Sequence, residues 1–84
     1  MLYEVRFSKM AFKDVKNLSP KIQKKLKEII NNQLTANPYI GKKLVGDLEG
    51  FYSLRLNLKD RLIYSIDEKN QIIYIHRAKT HYGE

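Results

Sequence analysis

The sequence predicts an α+β fold of order β-α-α-β-β-β, with an antiparallel sheet and two helices packed on one of its faces. Three observations predict it. Hydrophobic residues alternate at the start of the chain and again in its last third, the period of a half-buried strand. Between these segments the apolar positions recur at helical spacing. The last three alternating runs are joined by short polar links, the mark of an antiparallel meander.

The elements follow in order. In "LYEVRF", Tyr3, Val5 and Phe7 fall on one side and Glu4 and Arg6 on the other, as in a strand. Ser8 then suits the N-cap of a short helix from residue 9 to about residue 17, with Met10, Ala11, Val15 and Leu18 roughly on one side. Ser19 caps a second helix. Pro20 occupies its first position, where a missing N–H leaves no hydrogen bond unmade. This helix is predicted over residues 20 to about 35. Ile22, Leu26, Ile29, Ile30 and Gln33 form its apolar stripe, and Lys21, Lys24, Lys25 and Lys27 lie off it. "ANPYIGKKLVGDLEG" is the one long connection. "FYSLRLNL" places Tyr52, Leu54, Leu56 and Leu58 on one face and Ser53, Arg55 and Asn57 on the other. A tight "KD" turn leads to "RLIYSI", and a "DEKN" turn leads to the last strand, "QIIYIHRA". Two helices cover one face of such a sheet and leave the other for solvent or a ligand.

Eighty-four residues are expected to form a single domain, 1–84, with a small core and an active site no deeper than a groove on one sheet. There is no cysteine, which excludes disulfides, thiolate metal sites and a cysteine nucleophile and accords with a cytoplasmic location. No apolar run is long enough to span a membrane, and the first residues lack a signal-peptide pattern. Sixteen Lys and Arg against nine Asp and Glu give a net charge of +7, which favours a polyanionic partner, nucleic acid above all.

The glycines of "GKKLVGDLEG" have the wrong spacing for a phosphate-binding loop and precede a strand rather than a helix. The two histidines, His76 and His81, lie five apart with no cysteine nearby, a poor basis for a zinc site. No cofactor or metal is expected. The cations are more informative. The turn between the second and third strands should bring Arg55 and Arg61 together on paired strands, where facing like charges repel. Arg77 and Lys79 share a face of the last strand, and His81 and Tyr82 follow. Guanidinium groups bind phosphate oxygens in pairs and stabilise the extra charge of a pentacovalent transition state. Histidine exchanges protons near neutral pH, and tyrosine stacks on bases. Cations, histidine and tyrosine without metal ligands suit metal-free RNA cleavage, in which the 2′-OH is an internal nucleophile that DNA lacks.

These residues carry a resemblance. The chain resembles the RelE-type toxins of bacterial toxin–antitoxin systems, within the RelE/ParE superfamily, over essentially its full length. The resemblance rests on "YEVRFSKMAFKDVKNL", "SPKIQKKLKEII", "GKKLVGDLEGFYSLRL" and "DRLIYSIDEKNQIIYI". The terminal "HY" is most similar to YoeB-like members. The resemblance implies a microbial-ribonuclease-like sheet and mRNA cleavage in the ribosomal A site, which halts translation. It implies that Arg55 and Arg61 bind phosphate, that His81 is the general acid toward the leaving 5′-oxygen, and that Tyr82 orients or stacks on the substrate. Lys79 falls where a further basic residue contacts RNA, and Lys42, Lys43 and Arg77 are expected to bind RNA with it. YoeB-like toxins carry a glutamate base before "GFYS"; here Lys42 takes that place, which leaves Lys42, Lys43 and Glu49 as candidates for the base.

The resemblance implies as partners a cognate acidic antitoxin, the ribosome and mRNA. The antitoxin would fold over this basic chain, with the apolar side chains on and beside the second helix as contacts. DNA would be engaged only through the antitoxin, and no membrane is involved. A ParE-like inhibitor of DNA gyrase with the same fold is the first alternative, and a non-enzymatic nucleic-acid-binding module the second.

Overall fold

The computed structural model describes residues 2–79. β1 (Glu4–Phe7) leads into α1 (Lys9–Lys16) and α2 (Pro20–Ile29). β2 (Lys42–Lys43), β3 (Phe51–Arg55), β4 (Arg61–Asp67) and β5 (Ile72–Lys79) follow. The strands form one sheet in the order β1-β5-β4-β3-β2. The α+β class and the β3-β4-β5 meander agree with the sequence. The sheet is mixed rather than wholly antiparallel, because β1 runs parallel to β5, Val5 opposite Ile73 and Phe7 opposite Ile75. Hydrophobic period reveals a strand but not a partner some seventy residues away.

Both helices start where the caps place them. Ser8 Oγ accepts from the Ala11 N–H at 3.0 Å, and Ser19 Oγ from the Ile22 N–H at 3.3 Å, with Pro20 at the first turn. Of the predicted α1 stripe, Ala11 is fully buried and Val15 and Leu18 half-buried, whereas Met10 is exposed. The end of α2 differs from expectation. Regular helix stops at Ile29, and residues Ile30–Leu34 form a π-type turn in which the Thr35 N–H donates to the Ile30 carbonyl. The wider turn rotates the following side chains. Leu34 is buried in the core, and Gln33, placed on the stripe by the ideal period, is exposed.

The core lies between the helices and one face of the sheet. Leu26, Ile30 and Leu34 pack with Leu62, Tyr64, Ile73, Ile75 and Ala78, and Tyr52, Leu54 and Ile66 border them. β3 ends at Arg55, short of the predicted Leu58. Asn57 Oδ1 accepts from the backbone N–H groups of Lys59 and Asp60, closing a loop that buries Leu56 and leaves Leu58 92% exposed.

Candidate nucleic-acid interface

Strand register builds the second face. Arg55 opposes Arg61, and Arg61 opposes Lys79, so three cations from β3, β4 and β5 form one row across the sheet. Residues opposite each other share a side, and so do residues two apart. Phe51, Ser53, Ile63 and Ser65 therefore lie on the same side as this row. None of them belongs to the helix-facing core. The salt bridges among the described residues are Arg6–Glu4 and Arg77–Asp14, so the row stands without a carboxylate in contact.

Lys42 opposes Ser53 and joins this face; Lys43 opposes Tyr52 and points to the helix side. The two predicted RNA-binding lysines are thus separated by simple alternation. Their short strand is held in place by Tyr64, whose buried hydroxyl donates to the Pro38 carbonyl at 2.8 Å and accepts from the Gly41 N–H at 3.1 Å. Burial pushes the phenol up to about 12. The Tyr64 ring stacks on Tyr52, centroids 5.5 Å apart. A Cβ on Gly41 would fall on the Tyr64 hydroxyl and 2.9 Å from the Ser53 carbonyl oxygen, so this approach requires glycine.

Arg77 has a different place from that expected of an RNA contact. β1 ends opposite Ile75, and α1 completes the exposed edge of β5 beyond it. The Ser8 N–H donates to the Ile75 carbonyl, Ser8 Oγ donates to the His76 carbonyl, and Asp14 accepts from the Ala78 N–H at 3.0 Å. The same carboxylate accepts from Arg77 Nε at 2.8 Å and Nη2 at 3.3 Å. Burial pushes the Asp14 carboxyl up, but its hydrogen bonds with Arg77 and Ala78 outweigh this and hold it below the usual carboxylate range. Arg77 thus fastens α1 to β5 through Asp14. His81 and Tyr82, the expected acid and its neighbour, lie outside the described residues; β5 as far as Lys79 leads the chain toward them.

Sequence reasoning missed a group on this face. The β4–β5 ladder slips by one residue between Ile63 and Tyr64, which leaves His76 without a direct opposite number. His76 Nε2 lies 2.8 Å from Ser65 Oγ, and its ring stacks on Phe51 with centroids 4.9 Å apart and planes 14° from parallel. Burial lowers the imidazole from its usual value, so the ring is neutral at neutral pH. A bulge has no period-two signature, and nothing else in the sequence marks His76. Beside this group, Ser53 Oγ is buried and has no hydrogen-bond partner. Among the described residues, no three His, Asp or Glu side chains converge as metal ligands.

The opposite side of the molecule carries an apolar groove. Phe7, Val15, Leu26 and Ile30 line it, with Lys24 and Lys27 among its other residues.

A family model for the ParE-like toxin of type II bacterial toxin–antitoxin systems matches residues 5–83. The chain belongs to this family. The toxin is 35% identical over 79 residues to Toxin RelG of Mycobacterium tuberculosis, covering 93% of this chain and 90% of RelG. Its structure is similar to a chain of the toxin–antitoxin complex RelBE2 from M. tuberculosis, with TM-score 0.87, 32% identity and coverage of 96% of this toxin and 100% of that chain. It is also similar to a chain of the heterotetrameric YoeB–YefM toxin–antitoxin complex from Staphylococcus aureus, with TM-score 0.79, 31% identity and coverage of 98% and 100%. The RelE/ParE superfamily identified from the sequence is thereby shown. Among the toxin's described residues, no helix is long and apolar enough to cross a membrane.

Proposed function

We propose that this toxin is a ribosome-dependent endoribonuclease that cleaves mRNA in the A site, acting in the cytoplasm as one domain over residues 1–84. The observation that carries the reading is the Arg55–Arg61–Lys79 row. Aligned cations with no carboxylate in contact disfavour one another in the free protein, and a phosphodiester relieves that repulsion. In the reaction, a base takes the 2′-OH proton and the 2′-oxygen bonds to phosphorus. The bond from phosphorus to the 5′-oxygen then breaks, and His81 gives that oxygen a proton. Arg55 and Arg61 stabilise the charge that accumulates on the phosphorane. Lys79 binds the flanking backbone, and Tyr82 orients the substrate. Of the candidate bases, Lys42 is favoured over Lys43 because it shares the side of the row. The step uses no metal or cofactor.

An acidic antitoxin is the proposed partner, its amphipathic segment seated in the groove that combines Phe7, Leu26 and Ile30 with Lys24 and Lys27. That the RelBE2 and YoeB–YefM relatives are toxin–antitoxin complexes supports this assignment.

The test is in vitro translation with purified protein followed by primer extension. Cleavage within codons is expected, and it should be lost in Arg61→Ala and His81→Ala variants that remain folded. Full activity in both would refute the site. The ParE-like family description favours one rival, inhibition of DNA gyrase by binding. Pulse labelling after induction separates them: protein synthesis stops first for a ribonuclease, DNA synthesis first for a gyrase inhibitor.

A further inference from the structure

We infer that Phe51 and His76 form a nucleobase-stacking subsite for single-stranded RNA, holding a base whose neighbouring phosphate lies on Arg55, Arg61 and Lys79. The inference rests on the ribonuclease reading above and adds a second kind of contact to it.

The subsite arises from a small residue and a bulge. Ser65 opposes Phe51 across β3 and β4, and its short side chain leaves the space above it open. The slip in the β4–β5 ladder brings His76 into that space from the other flank. Bulges are frequent beside functional sites because they re-aim one side chain without disturbing the rest of the sheet. Here the re-aimed ring is fixed at both ends, by Ser65 Oγ at 2.8 Å and by the Phe51 ring at 4.9 Å. Phe51 and His76 are only half-buried, and neither belongs to the helix-facing core. A parallel aromatic pair on the side of the sheet turned away from the helices, next to cations, is the composition of a single-strand platform: rings take bases and the cations take phosphates.

The spacing fits. Arg61 and Ser65 are four residues apart on one strand, about 13 Å at strand rise, within the span of a dinucleotide. Ser53 lies between the aromatic pair and the cation row, on the same side as both. Ser53 and Ile63 are both buried, so no open cavity separates the two contacts. The lowered basicity of His76 keeps the ring uncharged at neutral pH, suited to stacking rather than to a further phosphate contact.

The experiment uses ribosomes stalled on an mRNA whose A-site nucleotides carry 2′-O-methyl groups, which block cleavage. 2-Aminopurine is placed at each codon position in turn, because stacking quenches its fluorescence. Quenching by the wild-type toxin is expected at one position. Phe51→Leu should abolish it and weaken binding about tenfold or more, whereas Phe51→Tyr should retain it. His76→Gln, which keeps a hydrogen-bonding group and removes the ring, should reduce quenching and serves as the second variant if Phe51→Leu unfolds. No quenching at any position, or wild-type quenching by both Phe51→Leu and His76→Gln, would overturn the inference. Cleavage of unmodified mRNA on the same ribosomes separates the two failures. Cleavage without quenching removes the stacking subsite alone, and absence of both removes the ribonuclease reading with it.

Discussion

Replacing Tyr64 with phenylalanine deletes one oxygen and the two hydrogen bonds that tie residues 38–41 to the middle of the sheet. The ring stays, so its stacking on Tyr52 and its packing in the core are preserved. Each lost hydrogen bond is worth about 1 kcal/mol, and leaving the Pro38 carbonyl and the Gly41 N–H without partners raises the total to roughly 2–4 kcal/mol. An 84-residue domain unfolds with an entropy of roughly 0.18 kcal/mol per kelvin near 60 °C, so a loss of about 2 kcal/mol lowers the midpoint by about 11 °C. Total stability for this length is on the order of 4–13 kcal/mol, so a loss of about 2 kcal/mol should leave the variant folded at room temperature. The damage is local. β2 is only two residues long, and its approach to β3 passes through Gly41. The assay is thermal unfolding by circular dichroism with amide hydrogen exchange on Lys42 and Lys43. The expected result is a lower midpoint and faster exchange in β2, with β4 and β5 protected as before. A midpoint within about 3 °C of wild type, or exchange accelerated evenly over the sheet, would refute the reasoning.

Three further predictions follow from the same contacts. Asp14→Asn should cost about 1–3 kcal/mol, because the Arg77 guanidinium and the Ala78 N–H exchange a carboxylate acceptor for a neutral amide. The Asp14 carboxyl titrates lower when folded than when unfolded, so the unfolded chain binds more protons as pH falls below about 4. The contribution is present at neutral pH and lost as pH falls through the folded value; urea titrations between pH 2 and 7 should show a flatter acid limb in Asp14→Asn. Arg61→Ala should lower cleavage on programmed ribosomes by about a hundredfold while raising the melting midpoint, because it removes a transition-state contact and a like-charge neighbour together. A fall in both activity and midpoint would show that Arg61 supports the fold instead. Removing residues 81–84 should leave the midpoint within about 2 °C and abolish toxicity on induction, and a toxic truncated chain would exclude His81 as the acid.

Legibility in the sequence depended on range. The caps at Ser8 and Ser19 and the alternation of β3 to β5 are written in neighbouring residues, and they were readable. So was the Arg55–Arg61 pair, because a short turn fixes its register; the alignment of Lys79 with it was not. The parallel pairing of β1 with β5 was not, nor was the binding of Arg77 by Asp14, 63 residues away in the chain. On local evidence Arg77 looks like any other surface cation. Two irregularities also escaped. The π-type turn moved Leu34 inward at the expense of Gln33, and the bulge brought His76 over Ser65. Each adds or shifts one residue against an ideal period, and an ideal period is the assumption on which such reading rests.

The parallel contact between the first strand and the last also orders events in time. During synthesis β1 is made long before Ile72 to Ile75, its partners. Lys79, the third cation of the row, emerges later still. Pairing across so long a separation also requires the costly closure of a long loop, which slows folding. Until those residues are made, a nascent copy therefore has neither a completed sheet nor a complete cation row. The aligned cationic row comes into being only once β5 has paired with β4, so it is a late product of folding rather than a local feature of any one strand.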